Sequence, residues 1–152
     1  MAISYSTNTM TVNIAETITL NGVNRGSSTT FSIPEIKYVE NGIITLTTAI
    51  KAILVTGDSS AAKNVVAANI RYVRLTNLDT SYIADVRVAA NTNEQFWIQI
   101  PPYASFIMTD TAMMAKDDSL AAAGTFNDLE SIFAEVNGGS GTMSLEYYIA
   151  SI

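Results

Sequence analysis

Apolar and polar residues alternate through the middle of the chain, from residue 69 to residue 108. Val73 and Leu75, for example, are separated by the charged Arg74. Successive side chains of a β-strand point to opposite faces, so this period of two predicts strands that are buried on one side. Turn-forming residues and the Pro101-Pro102 pair divide the segment into four short strands. Their apolar side must be covered, which predicts a second layer of sheet.

The same signals extend along the rest of the chain. The alternation is cleanest over residues 143–149, which predicts the last strand. The Asn21-Gly22 and Asn41-Gly42 pairs predict tight turns, because both residue types accept a positive φ angle. Pro34 predicts an edge strand or a bend. The apolar run at residues 53–55 predicts a short, fully buried strand.

Residues 127–136 fit either a helix or a strand. A helix would begin with a capping-box pattern of Asn127 and Glu130 and would place four residues on one face, namely Leu129, Ile132, Phe133 and Val136. A strand would instead alternate Ile132, Ala134 and Val136. The glycine-rich residues 137–141 would then join it to the last strand as a hairpin. The hairpin is the preferred interpretation, and the helix remains open.

Together these patterns predict an all-β protein, a two-layer antiparallel β-sandwich that is jelly-roll-like and has little or no helix. A long loop is expected over residues 109–124, with one helical turn near residues 119–123. Residues 1–7 are predicted to be an extended N-terminal arm, and residues 8–152 a single sandwich domain. No internal repeat, heptad or block of charges marks a further boundary.

The composition favours a protein that meets other proteins. Of the 152 residues, 14% are charged, whereas about 25% is usual in soluble domains. The net charge of -6 argues against a nucleic-acid partner, because phosphate binding needs clustered lysine and arginine. Arg71, Arg74 and Arg87 are predicted to lie near one another on the outer face of the central strands. No apolar run reaches the roughly 18 residues of a membrane span, and the first residues lack the pattern of a signal peptide.

The chain contains no histidine and no cysteine. Serine and cysteine nucleophiles normally depend on a histidine base, and common zinc sites use histidine or cysteine ligands. Carboxylates are the remaining acid-base or calcium-binding groups, and two pairs are candidates, Asp117 with Asp118 and Asp128 with Glu130. Neither pair is predicted to face a groove, so solvated loop charges explain them more simply. No enzymatic activity, cofactor or metal site is therefore expected.

Four aromatic side chains are the candidates for partner contacts, namely Tyr5, Trp97, Tyr103 and Tyr148. Trp97 has the opposite parity to its neighbours Phe96 and Ile98, so it is predicted to point away from the core. Tyr148 has the same relation to Tyr147. Exposed aromatic rings anchor protein contacts or stack on sugars, whereas the plainer alternative is that each ring fills the core or covers a sheet edge.

Three segments together suggest a family. Residues 16–22 read Glu-Thr-Ile-Thr-Leu-Asn-Gly, residues 70–79 form a strand that ends in Thr-Asn-Leu-Asp, and residues 100–108 form a proline-led strand that contains Ser-Phe. This series resembles small β-rich virion proteins of tailed bacteriophages, particularly those of aquatic hosts. Within that group, a single-domain chain of this size is most similar to capsid decoration or cement proteins. Such proteins commonly have jelly-roll-like folds and often form trimers on the shell.

The resemblance implies a virion structural protein, assembled in the host cytoplasm, that staples major capsid subunits or binds other virion proteins. It also implies a homo-oligomer, with a trimer as the first expectation. Two alternatives stay open. A tail or head-to-tail connector protein with the same sandwich would form rings of a symmetry other than three. A carbohydrate-binding module would need Trp97 and a tyrosine that lie coplanar on an exposed platform.

Overall fold

The computed structural model describes residues 8–56, 65–90, 95–109, 114–115, 127–138 and 140–152. These residues lie mostly in antiparallel strands, and the one helix within these ranges is a 3-10 turn at Ala67–Asn69. The predicted all-β sandwich is therefore confirmed. Contacts divide the chain into two compact units, of which the first ends at Lys37 and the second spans Tyr38–Ser151. The predicted arm at residues 1–7 and the predicted helical turn near residues 119–123 lie outside the described residues. The long loop predicted over residues 109–124 is interrupted by a short strand at Met114–Ala115.

The first unit is a long antiparallel hairpin. Its strands are β1 (Asn8–Ala15), β2 (Thr19–Leu20), β3 (Val23–Asn24) and β4 (Ser28–Ile36). β1 pairs with β4, and β2 pairs with β3. Asn21 and Gly22 have φ angles of 52° and 77°, so the predicted two-residue turn is confirmed. Pro34 lies at an irregularity in the register of β4 with β1, where the lack of an amide hydrogen is tolerated.

The second unit is a sandwich of two four-stranded sheets. Its strands are β5 (Tyr38–Leu46), β6 (Lys51–Val55), β7 (Ile70–Asn77), β8 (Ala84–Ala89), β9 (Gln95–Ile100), β10 (Ser105–Thr109), β11 (Met114–Ala115), β12 (Asn127–Asp128), β13 (Ser131–Val136) and β14 (Met143–Ser151). Sheet I has the order β10-β7-β14-β5, and sheet II has the order β6-β13-β8-β9. The short strands β11 and β12 pair with each other.

The core lies between the two sheets and is built from alternate residues of their strands. Val73 and Leu75 of β7 are fully buried, as are Val86 and Val88 of β8. These four positions confirm the alternation predicted for the central strands. The four central strands nevertheless do not form one sheet, because β7 and β10 belong to sheet I whereas β8 and β9 belong to sheet II. The segment contributes to both layers of the sandwich.

Asn77 is a fully buried polar residue that ties the two sheets together at the end of β7. Its Nδ2 atom donates hydrogen bonds to the carbonyl oxygens of Tyr82 at 2.8 Å and Ile100 at 2.9 Å. Its Oδ1 atom accepts a hydrogen bond from the backbone N–H of Asp79 at 2.9 Å. Because Ile100 ends β9 of sheet II, this amide links the end of β7 in sheet I to the end of β9 in sheet II. Every polar atom of the side chain has a partner, which offsets the cost of its burial.

Residues 131–136 form a strand, so the helix alternative is excluded, but the predicted hairpin with the last strand is wrong. β13 pairs with β6 and β8 in sheet II, whereas β14 pairs with β5 and β7 in sheet I. The glycine-rich residues 137–142 therefore carry the chain from one sheet to the other. A loop of this length suits both connections, and the local sequence does not distinguish them.

The predicted turn at Asn41-Gly42 is also wrong, because β5 runs straight through both residues. Gly42 lies opposite Tyr147 of β14. A Cβ atom on Gly42 would lie 3.0 Å from Oη and 3.1 Å from Cζ of that tyrosine. Gly42 therefore leaves room for the aromatic ring across the strand pair. The predicted burial of residues 53–55 is confirmed for Leu54, which lies in the core, and is wrong for Val55, which is half exposed on the edge strand β6.

Candidate interaction surfaces

The four aromatic residues predicted as partner contacts do not gather on one surface. Trp97 lies on β9 of sheet II with 49% of its surface exposed, and Tyr103 lies in the following turn with 72% exposed. Tyr148 lies on the outer face of sheet I, where its ring meets Tyr72 edge to face with a centroid distance of 5.9 Å. Tyr5 lies outside the described residues. Trp97 and Tyr103 are thus the open aromatic side chains of the set.

The tip of the hairpin exposes an aliphatic face that the sequence analysis did not single out. Leu20 and Val23 face each other across the turn, and the Ile18 carbonyl accepts a hydrogen bond from the Arg25 N–H at 2.8 Å. Ile18 and Leu20 are two residues apart, so all three aliphatic side chains point to the same side. Each of the three is about half exposed. The signal was present in the sequence as the alternation of apolar residues before and after Asn21-Gly22.

The two arms of the hairpin approach each other closely just below the tip. The N–H of Glu16 donates to the carbonyl oxygen of Ser27 at 2.7 Å, and the N–H of Gly26 donates to Oδ1 of Asn24 at 2.8 Å. A Cβ atom on Gly26 would lie only 2.1 Å from the carbonyl oxygen of Glu16. A residue with a Cβ atom would not fit at this position. Glycine therefore allows the two strands of the hairpin to approach closely next to the aliphatic face.

A second apolar patch lies on β5, at one edge of sheet I. Val39 and Ile43 have the same parity on this strand and are exposed, Ile43 by 64%. Within the described part of the chain, β5 is paired on one side only, by β14. An edge strand with exposed aliphatic side chains is a potential template for pairing with another chain.

Sheet II carries a ladder of three side chains across adjacent strands. Arg87 of β8 is in register with Phe133 of β13 on one side and Trp97 of β9 on the other. The guanidinium carbon of Arg87 lies 4.5 Å from the centre of the Phe133 ring and 5.9 Å from that of the Trp97 ring. Both distances are within the range of cation–π attraction. The Nε atom of Arg87 is buried and has no hydrogen-bond partner among the residues that the structure describes.

A polar network lies beside this ladder. Oδ1 of Asp85 accepts a hydrogen bond from Nε2 of Gln99 at 3.1 Å, and its Oδ2 accepts one from Nδ2 of Asn137 at 2.6 Å. The predicted cluster of arginines is wrong. Arg71 and Arg74 both lie on β7 of sheet I, where Arg71 donates to the carbonyl oxygen of Ala68 at 2.7 Å and Arg74 forms an ion pair of 2.7 Å with Glu146. Arg87 lies on sheet II, so the three arginines form no common basic patch.

The candidate carboxylate pairs give no catalytic arrangement in the described residues. Asp117 and Asp118 lie outside those residues, Asp128 is half-buried, and Glu130 is exposed. The ionised group with a distinct environment is instead Asp79. Backbone N–H groups of Tyr82 and Ser81 donate to Oδ1 of this residue at 2.9 and 2.8 Å and hold its pKa below the ordinary value of 3.8. These bonds stabilise a turn.

Comparison with protein-family models, with curated proteins and with solved structures finds no match to this chain. In the part of the chain that the structure describes, no three acidic, histidine or cysteine residues are grouped so that they could hold a metal ion. A search of the same residues finds no helix of sufficient length and apolar character to cross a membrane.

Proposed function

We propose that this protein is a structural component of a bacteriophage particle, and that it decorates the capsid and staples neighbouring major capsid subunits. The observation that carries the proposal is the half-exposed aliphatic face of the hairpin tip, formed by Ile18, Leu20 and Val23. The resemblance of three sequence segments to phage virion proteins supports the same assignment. The low charged fraction of 14% fits a surface that is covered by other proteins in the particle.

The hairpin tip can supply moderate binding free energy. Complete burial of an aliphatic side chain is worth about 1.5–3 kcal/mol, so covering the exposed halves of three such residues would contribute roughly 2–4 kcal/mol. A single contact of this size is weak. Each copy would bind the shell more tightly if it also made a second contact. Once the first contact has formed, the second forms at a high effective concentration.

The edge of β5 is the second contact that we propose. Its exposed Val39 and Ile43 would pack against an added strand, whose backbone would pair with the outward N–H and C=O groups of residues 41–46 of β5. Strand addition gives affinity through backbone hydrogen bonds, and the flanking aliphatic side chains add apolar burial. We assign this edge to contact with a different surface of a second copy of the chain, because such head-to-tail contacts close into rings; three copies is the number that the resemblance to decoration proteins suggests.

The sandwich itself fits this role. We infer that it is a jelly roll, because its eight long strands, counted from β5, have the orders 1-8-3-6 and 2-7-4-5. These orders result when a ribbon of the pairs 1·8, 2·7, 3·6 and 4·5 wraps over two layers. A continuous core between the layers keeps the sheet edges in fixed positions, as a staple between subunits requires.

The proposal is tested by the binding of the purified chain to shells assembled from the major capsid protein alone. Co-sedimentation should be saturable for the native chain, and should weaken at least tenfold for a Leu20→Ser, Val23→Ser double variant. Val55→Ser is the matched control, because Val55 is as exposed as Val23 but lies on β6 of the sandwich. The control should bind like the native chain. A native chain that fails to bind, or a double variant that binds unchanged, would contradict the proposal.

A further inference from the structure

We propose that the exposed edge of sheet II around Trp97 binds a neutral carbohydrate. Trp97 lies on β9, the edge strand of this sheet among those described, and 49% of its surface is exposed. Gln95 and Gln99 are two residues away on either side, so both point to the same face as the indole, and both are exposed. This activity goes beyond the proposed structural role and does not depend on it.

The indole ring is partly covered and partly open. The guanidinium of Arg87, on the neighbouring strand β8, lies over the ring with its carbon atom 5.9 Å from the ring centre, and 49% of the Trp97 surface remains exposed. An aromatic ring with one open face is a platform for the C–H face of a sugar, which is apolar, while the hydroxyl groups around the sugar remain free for hydrogen bonds.

The two glutamines are placed to make those hydrogen bonds. Each lies roughly 6.6 Å along the strand from Trp97, since the rise is about 3.3 Å per residue. That spacing is close to the sum of half the width of a hexopyranose ring and the length of a hydrogen bond. A sugar centred on the indole would therefore have one glutamine at each end. Each amide offers a carbonyl acceptor and two N–H donors, one of which Gln99 already gives to Asp85. The acceptor and the remaining N–H match a hydroxyl group that both donates and accepts.

The site is held in position by its neighbours before any ligand arrives. Gln99 donates to Asp85 at 3.1 Å, and Asn137 donates to the other oxygen of the same carboxylate at 2.6 Å. Phe133 lies 4.5 Å from the guanidinium carbon of Arg87, so the cation that supports the indole is itself fixed between two rings. Asp85, Arg87 and Phe133 are positioning residues. Their rigidity lowers the entropy that binding would otherwise cost.

The charges at this surface favour a neutral ligand. Arg87 contributes one positive charge, whereas Asp85 and Glu135 are cross-strand neighbours one row further along the same face. Two carboxylates near one guanidinium disfavour phosphate groups and anionic polysaccharides. A neutral glycan that presents hydroxyl groups avoids this repulsion.

Trp97 is the only tryptophan in the chain, so the fluorescence of the intact protein reports directly on this site. Titration with cellohexaose, chitohexaose, mannohexaose and maltohexaose is the test, with a glycan array used to extend the panel. At least one neutral oligosaccharide should shift the tryptophan emission to shorter wavelength in a saturable manner, with a dissociation constant between micromolar and millimolar. No shift with any oligosaccharide, together with no binding on the array, would overturn the proposal.

Variants then locate the site by titration calorimetry. Gln95→Ala and Gln99→Ala should each weaken binding by about 3- to 10-fold, the loss expected for one hydrogen bond. Trp97→Ala should abolish binding. Val55→Ser, at an exposed position on the opposite edge of sheet II, is the control and should bind like the native chain. Oligosaccharide binding that survives Trp97→Ala would overturn the assignment.

Discussion

Single polar side chains decide how the sandwich is joined at its ends. Asn77 satisfies three backbone groups from a fully buried position, and Asp79 accepts two backbone N–H groups in the adjacent turn. The sequence pattern Thr-Asn-Leu-Asp indicated a turn at this point. It did not indicate that the asparagine is buried, because its partners Tyr82 and Ile100 come together only in the folded sandwich.

Replacing Asn77 by alanine should lower the free energy of unfolding by about 3 kcal/mol. The carbonyl oxygens of Tyr82 and Ile100 and the N–H of Asp79 would lose their partner, and a buried unsatisfied group costs about 1–3 kcal/mol. Urea denaturation followed by circular dichroism measures the change. Asn41→Ala, at an exposed position of β5, should alter stability by less than about 0.5 kcal/mol. Equal effects of the two substitutions would show that the Asn77 network is not the cause.

The turn at Asp79 should make stability depend on pH in the acidic range. Hydrogen bonds from Tyr82 and Ser81 lower the pKa of this carboxyl in the folded state. A lowered pKa contributes stability that is present above the ordinary value of 3.8 and is lost as the pH falls through the folded-state value. Asp79→Asn should therefore melt at a lower temperature than the native chain at pH 7, and the difference should shrink at acidic pH. A difference that is constant with pH would contradict this origin.

At the level of strands, alternation predicted where most elements lie but not which neighbours they have. β7, β8 and β14 were predicted from residues that are now seen in the core, such as Leu75, Val86 and Leu145. The strands that pair with β13 were not predicted, because the alternation of apolar and polar residues is the same whichever sheet a strand belongs to. Asn41-Gly42 was misinterpreted as a turn, since the local signal carries no information about Tyr147, which lies more than a hundred residues away in the sequence.

The pairing of β5 with β14 should depend on the space above Gly42. Gly42→Ala places a Cβ atom 3.0 Å from Oη of Tyr147, and such overpacking typically costs about 1–3 kcal/mol. Removing that oxygen with Tyr147→Phe should recover part of the loss, so the double variant should be more stable than the two single effects would give together. Thermal unfolding of the four chains measures this. Simple additivity would contradict a direct clash.

The candidate surfaces could be predicted from the sequence only in part. The parity of Trp97 along β9 predicted that it points away from the core, and it is exposed. Its neighbours Arg87 and Phe133 could not be predicted, because they lie on two other strands that meet it through the register of sheet II. The aliphatic face at Leu20 and Val23 was visible as alternation. The exposure of this face belongs to the long hairpin at residues 8–36. The sequence alone did not distinguish this hairpin from the strands of the sandwich.

For the whole molecule, the low charged fraction and the apolar patches on two different elements agree with a protein whose surface contacts other subunits. The hairpin tip supplies one patch and the edge of β5 supplies another. Two patches on one chain permit a contact with the shell and a contact with a second copy of the same chain. The central claim of the proposed function is that each chain makes both contacts. A chain that does so can occupy every equivalent site of the shell, which sets the number of copies per particle.

Quantitative mass spectrometry of purified particles, with the peptide signal of this chain measured against that of the major capsid protein, tests this claim most directly. A decoration protein covers every equivalent site of the shell, so we expect on the order of hundreds of copies per particle. About a dozen copies would instead indicate a closed ring in the tail or the head-to-tail connector. Particles that lack the chain altogether would contradict a structural role in the virion.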